Sequence, residues 1–264
     1  NNTTASGGVA IGNRALDANT TGDYNIGIGH DALGANTTGT LNVGIGQNAL
    51  YSNTTGTNLV AIGQAALFTN TTAGNNTAVG KSALAYNTTG TGLVAVGQAT
   101  LDANTTANYN TGIGGSALGV NTTGSDNTSV GYNSLQANTT GASSTAIGYR
   151  AGYSQSTNGQ NMFAGKEAGY SNTGYKNCFV GYQSGDEVTS GNNNTILGSY
   201  NGNQGSLDIR TSSNNIVLSD GDGNPRGRFD SSGYFYVPAM PVGGAANIHW
   251  SSGNGQFFVS SSSS

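Results

Sequence analysis

Charge is scarce in this chain. Its 264 residues include only 8 Lys or Arg and 12 Asp or Glu, so 8% are charged, against about a quarter in ordinary soluble domains. A long charged helix or coiled coil is excluded, because those need Glu, Lys and Leu in quantity. Eight cations and a net charge of −4 also argue against nucleic-acid binding, which runs on Lys and Arg facing phosphates. A single cysteine, Cys178, rules out an intrachain disulfide framework and a cysteine zinc site. Three prolines are too few for a collagen or polyproline chain. No run of 18 apolar residues occurs, so no membrane insertion is expected. The chain begins at Asn1 without a basic-then-apolar leader, and is expected to be a processed piece of something longer.

Small residues take the place of what is lacking. There are 44 Gly and 35 Asn. A glycine follows an apolar residue at positions 12, 29, 46, 63, 80, 97, 114, 131, 148, 165, 181 and 198, in steps of 17 with one step of 16. Asn-Thr-Thr recurs in the same register, starting at Asn2, Asn19, Asn36, Asn53, Asn70, Asn87, Asn104, Asn121 and Asn138. Such a short period cannot hold a helix pair, and it carries no 3.6-residue periodicity. Stretches such as Val60-Ala61-Ile62-Gly63 alternate over four residues, which suits a strand. Asn-Thr-Thr-Gly suits a corner. The spacing predicts an all-β fold: a parallel β-solenoid of about twelve 17-residue coils over residues 1–204. Each coil is expected to hold a short strand, a bend at Gly, a second strand around Ala-Leu, and the corner. At about 4.8 Å per coil this makes a rod.

Two columns are expected to form the core. One precedes the glycine (Ile11, Ile28, Ile45, Ile62 and their equivalents); the other lies four residues after it (Leu16, Leu33, Leu50, Leu67, onward to Leu135). The second column then changes to Gly152, Gly169 and Gly185. The position two before the glycine changes in the opposite sense, from small residues (Ala, Gly or Ser129) to Phe163, Phe179 and Ile196. The compensation implies that the two positions touch, because a packed interior keeps its volume. Two aliphatic side chains per coil are little burial for 17 ordered residues. Association with further copies, as a homotrimer, is expected to supply the rest.

Residues 205–264 lose the period and read as a small antiparallel β-meander ending in the serines 260–264. Segments such as Asn215-Ile216-Val217-Leu218 and Ile248-His249-Trp250 read as its strands.

The repeat Ala-Ile-Gly-x-x-Ala-Leu resembles the head repeats of trimeric autotransporter adhesins. The later form Thr145-Ala146-Ile147-Gly148-Tyr149-Arg150-Ala151-Gly152-Tyr153 is similar to repeats of tailed-phage fibre and spike proteins. Residues 214–233 resemble the region preceding an endosialidase-type intramolecular chaperone in such fibres, and the serine-rich end, to Ser264, matches the position of its self-cleavage junction. The resemblance implies a structural fibre on a virion or extracellular appendage. Such a fibre presents a tip to a host cell-surface glycan or protein. A bacterial adhesin head and an ice-binding solenoid are the alternatives.

Chemistry is thinly represented. His30 and His249 lie in different modules, Asp186-Glu187 are adjacent carboxylates, and no nucleophile-base spacing appears. The chain is therefore expected not to be an enzyme and to need no cofactor or metal. Asp220, Asp222 and Asn224 match the start of a calcium loop, but Pro225 stands where glycine is needed, so a hairpin turn is expected. The Asn-Thr-Thr sequons read as stacked turns. Cys178 reads as a small buried hydrophobe. Tyr149, Tyr153, Tyr170, Tyr175, Tyr182 and Tyr200 cluster late; Tyr153, Tyr170 and Tyr175 are candidate receptor or glycan contacts.

Overall fold

The computed structural model describes residues 4–237, 246–251 and 256–261. Among these, every regular element is a strand. Twelve three-residue strands follow one another: β1 (Val9–Ile11), β2 (Ile26–Ile28), β3 (Val43–Ile45), β4 (Val60–Ile62), β5 (Thr77–Val79), β6 (Val94–Val96), β7 (Thr111–Ile113), β8 (Thr128–Val130), β9 (Thr145–Ile147), β10 (Met162–Ala164), β11 (Cys178–Val180) and β12 (Thr195–Leu197). Each pairs in parallel with the next, in the register of the repeat: Val43 faces Val60, Gly44 faces Ala61 and Ile45 faces Ile62. The fold is a parallel β-solenoid.

Each strand ends at its glycine for a steric reason. Gly29, for example, has φ of 134°, a region open only to glycine. A Cβ there would stand 2.6 Å from the carbonyl oxygen of Gly46 in the next coil. The glycine column is therefore where successive backbones come closest.

The expected second strand around Ala-Leu does not form. Arg14, Asp31 and their equivalents, and every leucine from Leu16 to Leu135 in that column, take positive φ; Leu33 is at 54°. Alternating right- and left-handed residues coil the chain into two successive turns. Ala32 N–H donates to the Gly29 carbonyl at 3.4 Å and Asn36 N–H to the Leu33 carbonyl at 3.1 Å. A leucine in this conformation costs about 1 kcal/mol, but Leu33, Leu50, Leu67, Leu84, Leu101, Leu118 and Leu135 are fully buried, worth roughly 2 kcal/mol each. Leu16, in the first coil, is only partly buried.

The core differs from the expected pair of columns. The leucines lie inside, but the isoleucine column does not. Ile11 is 59% exposed and Ile62 37%, while Ile28 and Ile45 are half-buried. In a three-residue strand the middle side chain points opposite to its two neighbours. Here the middle residue takes the inside: Ala61, Ala78, Ala95, Ala146, Phe163, Phe179 and Ile196 are fully buried. This column meets the leucines. A Cβ on Gly27 would stand 3.1 Å from Leu16 Cγ, and one on Gly44 3.1 Å from Leu33 Cγ. Where phenylalanine enters, glycine makes room: a Cβ on Gly152 would lie 2.6 Å from Phe163 Cδ2, and one on Gly185 2.6 Å from Phe179 Cδ2.

Asparagine fills the rest of the interior. Asn36, Asn53, Asn70, Asn87, Asn104, Asn121 and Asn138 are fully buried. Each donates an Nδ2–H to the Oδ1 of the asparagine one coil earlier at 2.8–3.2 Å, and Gln155 continues the chain to Asn138 at 3.2 Å. A second file includes Asn25, Asn42, Asn110 and Asn127. Its Oδ1 atoms accept the backbone N–H one coil on, as from Leu59 to Asn42 at 3.1 Å.

The sheet does not end with the 17-residue period. β13 (Asn203–Gln204) and β14 (Leu207–Asp208) form a small hairpin. β15 (Ile216–Ser219) then adds in parallel to β12, with Ile216 facing Thr195. Asn215 likewise continues the asparagine file, its N–H 2.9 Å from Asn194 Oδ1. The expected boundary at 204/205 thus falls inside the parallel sheet, and the hairpin absorbs the longer step. Tyr200 is fully buried, and its hydroxyl donates to the Leu207 carbonyl at 2.7 Å, pinning that hairpin. β16 (Pro225–Phe229) and β17 (Phe235–Tyr236) extend the sheet antiparallel. β18 (Ala246–Ser251) pairs with β19 (Gln256–Ser261).

Candidate functional site

With the middle strand residue turned inward, the other two point out. The first outward column runs Val9, Ile26, Val43, Val60, Thr77, Val94, Thr111, Thr128, Thr145, Met162, Cys178, Thr195, Ile216; the second runs Ile11, Ile28, Ile45, Ile62, Val79, Val96, Ile113, Val130, Ile147, Ala164, Val180, Leu197, Leu218. No charged residue interrupts either column. Thirteen strands at about 4.8 Å make the face roughly 60 Å long. Soluble monomers rarely expose an apolar patch above a few hundred Å². Cys178 belongs to this face and is half-buried there, outside the interior expected for it. A small residue between two β-branched ones fits a narrow inside and a roomy outside.

A second surface lies on the turn that follows the glycine, in the later coils. Tyr132 and Tyr149 stack at 5.9 Å, and Tyr153 and Tyr170 at 5.1 Å. Arg150 sits between the two stacks, its Cζ 5.2 Å from the Tyr149 ring centre and 5.6 Å from that of Tyr153. Lys166 Nζ stands 5.4 Å from the Tyr182 ring centre. Cations over ring faces gain electrostatic energy there. Arg150 Nε and Asp186 Oδ1 are buried without hydrogen-bond partners. Burial pushes the Asp186 carboxyl up to about 6, and Glu187 and Glu167 add to the effect. Glu167 accepts an N–H from Gln183 at 3.1 Å. The result is a patch of aromatic rings with unmet polar atoms among them.

Of the three candidate tyrosines, the fold brings Tyr153 and Tyr170 together. Tyr175 lies apart on the Asn-Thr-Thr-Gly side of the coil, half-exposed, with Lys176 Nζ 5.8 Å from its ring centre. His30 Nδ1 lies 2.9 Å from Asp31 Oδ2, which also binds Arg14 at 2.5 Å. Asp220 closes a turn: its Oδ1 accepts the N–H groups of Asp222 at 3.1 Å and Asn224 at 2.9 Å, and Arg226 binds its Oδ2. Chiefly because of Arg226, the Asp220 carboxyl is held down at about 2. The sequon asparagines from Asn19 to Asn138 are buried in the ladder, so their amides face the interior. Ser264 lies outside the described residues, and of the His249 side chain nothing is described.

No protein-family model, curated protein or solved structure matches this chain.

Proposed function

We propose that this chain is a non-enzymatic structural protein: one of three copies wound into a rigid shaft, of the phage tail-fibre class, on a virion or extracellular appendage. The observation that carries the reading is the uncharged strand face, one of whose two columns is apolar along its whole length while the other mixes apolar residues with five threonines. A strip only two side chains wide and roughly 60 Å long suits burial around a common threefold axis, where each copy offers the same strip. A stiff ladder of coils with few flexible segments resists local opening and unfolds slowly. The shaft holds an attachment surface away from the particle and presents it to a cell-surface glycan or protein. The aromatic patch of the later coils is one surface with chemistry suited to that contact. An ice-binding reading is weaker, because the first threonine of most pairs is engaged. Thr37 Oγ1 donates to the Thr54 carbonyl at 3.1 Å, and Thr54 Oγ1 to that of Thr71 at 3.1 Å.

Light scattering of the purified chain tests the proposal. A mass three times 26.4 kDa is expected. Ile45→Asp with Ile62→Asp, which alters only the outward column, is expected to give single chains that keep their β-structure. A folded wild-type chain that is monomeric at micromolar concentration refutes the reading.

A further inference from the structure

The fifth residue after each glycine forms a column along the outside of the turn: Asp17, Gly34, Tyr51, Phe68, Ala85, Asp102, Gly119, Gln136, Tyr153, Tyr170 and Asp186. It holds two stacked aromatic pairs, Tyr51 with Phe68 at 5.4 Å and Tyr153 with Tyr170 at 5.1 Å. An aspartate follows each pair, and in both Asp102 and Asp186 the Oδ1 is buried without a hydrogen-bond partner. The pairs differ in one respect. Asp186 follows Tyr170 directly, whereas Ala85 separates Phe68 from Asp102. A cavity of about 310 Å³ opens there, lined by Asn48, Ala65, Phe68, Ser82, Tyr86 and Asp102 around Ala85. That is the lower end of the range for small-molecule sites.

We propose that the cavity between Phe68 and Asp102 is a saccharide-binding site for one neutral pyranose residue of a glycan. The apolar C–H face of a pyranose carries slight positive charge and matches the negative face of an aromatic ring. Phe68 is stacked on Tyr51 on one side and has only the small Ala85 beyond it in the column. Asp102 lines the cavity, and a sugar hydroxyl donated to its carboxylate makes a charge-assisted bond, stronger than a neutral one. Asn48 and Ser82 bring an amide and a hydroxyl to the same walls, and Tyr86, more than half exposed, flanks the entrance. An anionic sugar is disfavoured, since the acceptor is itself an acid. The site lies on the turn, not on the strand face assigned to assembly, so it stays open in a trimer. It rests on the fibre reading only for its biological use as a host-glycan contact.

Saturation-transfer NMR with methyl β-D-galactopyranoside, methyl β-D-glucopyranoside and methyl α-D-mannopyranoside tests the proposal, with sialic acid as the anionic comparison. At least one neutral glycoside is expected to bind with Kd about 1 mM, ordinary for a ligand this small, and sialic acid at least tenfold more weakly. Ala85→Phe continues the stack as Tyr51 and Phe68 do and is expected to abolish the signal. Asp102→Asn, which keeps the shape, is expected to weaken binding about tenfold and serves alone if the phenylalanine disturbs the coil. No transfer to any neutral glycoside, or transfer unchanged in both variants, overturns the proposal. Light scattering on the same samples separates the two readings: trimers that bind no sugar refute only this site, and monomers that bind refute only the shaft.

Discussion

Swapping the Leu-Ala and Gly-Phe solutions at one rung perturbs the core in a way the structure makes quantitative. Gly152 has φ of 62°, and a Cβ on it would stand 2.6 Å from Phe163 Cδ2 and 2.9 Å from Leu135 Cδ2. Gly152→Leu alone therefore overpacks a filled space, at about 1–3 kcal/mol, and adds about 1 kcal/mol for a non-glycine residue at positive φ. Phe163→Ala alone empties the space above Gly152 and Gly169, at about 3–5 kcal/mol. Combined, the two recreate the Leu135 and Ala146 arrangement of the preceding rung. The double variant should then cost about 3 kcal/mol less than the sum, well beyond the ~0.5 kcal/mol scatter of independent sites. Native-state hydrogen exchange at the amides of β9 and β10 measures this locally, avoiding the assumption that so long an array unfolds in one step. Additivity within about 0.5 kcal/mol would show that the compensation in sequence is not a contact, and would refute the packing argument.

Three further outcomes follow from particular residues. Asn70→Ala removes two bonds donated to Asn53 Oδ1 and the Ala73 carbonyl and one accepted from Asn87; at about 1 kcal/mol each plus orphaned buried atoms, it should cost about 3–5 kcal/mol by denaturant titration, and a loss below 1 kcal/mol would contradict the ladder's structural role. Asp186 has a folded pKa of about 6, above its ordinary 3.8; the folded state then binds more protons between these values, so its contribution to stability is fullest below about pH 4 and is lost as pH rises through 6. Melting curves from pH 4 to 7 should show Asp186→Asn flatter than wild type over that window, and parallel curves would negate the shift. Cys178, half-buried on the strand face of one chain, should resist a thiol reagent in the wild-type protein if the proposed trimer forms, and react in the Ile45→Asp, Ile62→Asp variant; equal rates would argue that the face is uncovered.

The period was legible because every coil repeats the same steric demand. Glycine at 29, 46, 63 and onward marks the point of closest backbone approach, and no other residue fits there. The exchange between Gly152 and Phe163 was legible for the same reason: interior volume shows in the sequence as two anticorrelated positions. Strand parity was not legible. Val60, Ala61 and Ile62 alternate in size, and the habit that large apolar residues lie inside puts Ile62 in the core. A narrow interior inverts that habit, since it accepts Ala61 and pushes both neighbours outward. The turn at Leu33 was hidden too, because leucine is a poor candidate for positive φ; only the burial gained in place makes the conformation tenable. The groove at Ala85 needed three dimensions. Phe68 and Asp102 are 34 residues apart, and only the coil stacking places them around one cavity.

The arrangement explains why a chain so poor in charge and aliphatic bulk can still specify one register. Shifting a coil by one residue would flip its strand and put a β-branched side chain where Ala61 fits. It would also break that coil's links to the asparagines above and below it, leaving amides buried without partners at a cost of about 1–3 kcal/mol each. The polar interior thus fixes alignment coil by coil, a task that smooth apolar packing performs poorly. Its consequence is on the outside. With the middle column held to small residues over most of the sheet, the isoleucines and valines have nowhere to go but the outward face. The same narrowness that secures register within one chain leaves that chain with an apolar strip to cover, and identical copies carry the complementary strip at the same spacing. Folding and assembly are on this view two results of one constraint. Widening the interior at several consecutive rungs should therefore weaken the proposed association as well as register, and a variant that lost register yet still formed the proposed trimer would separate them.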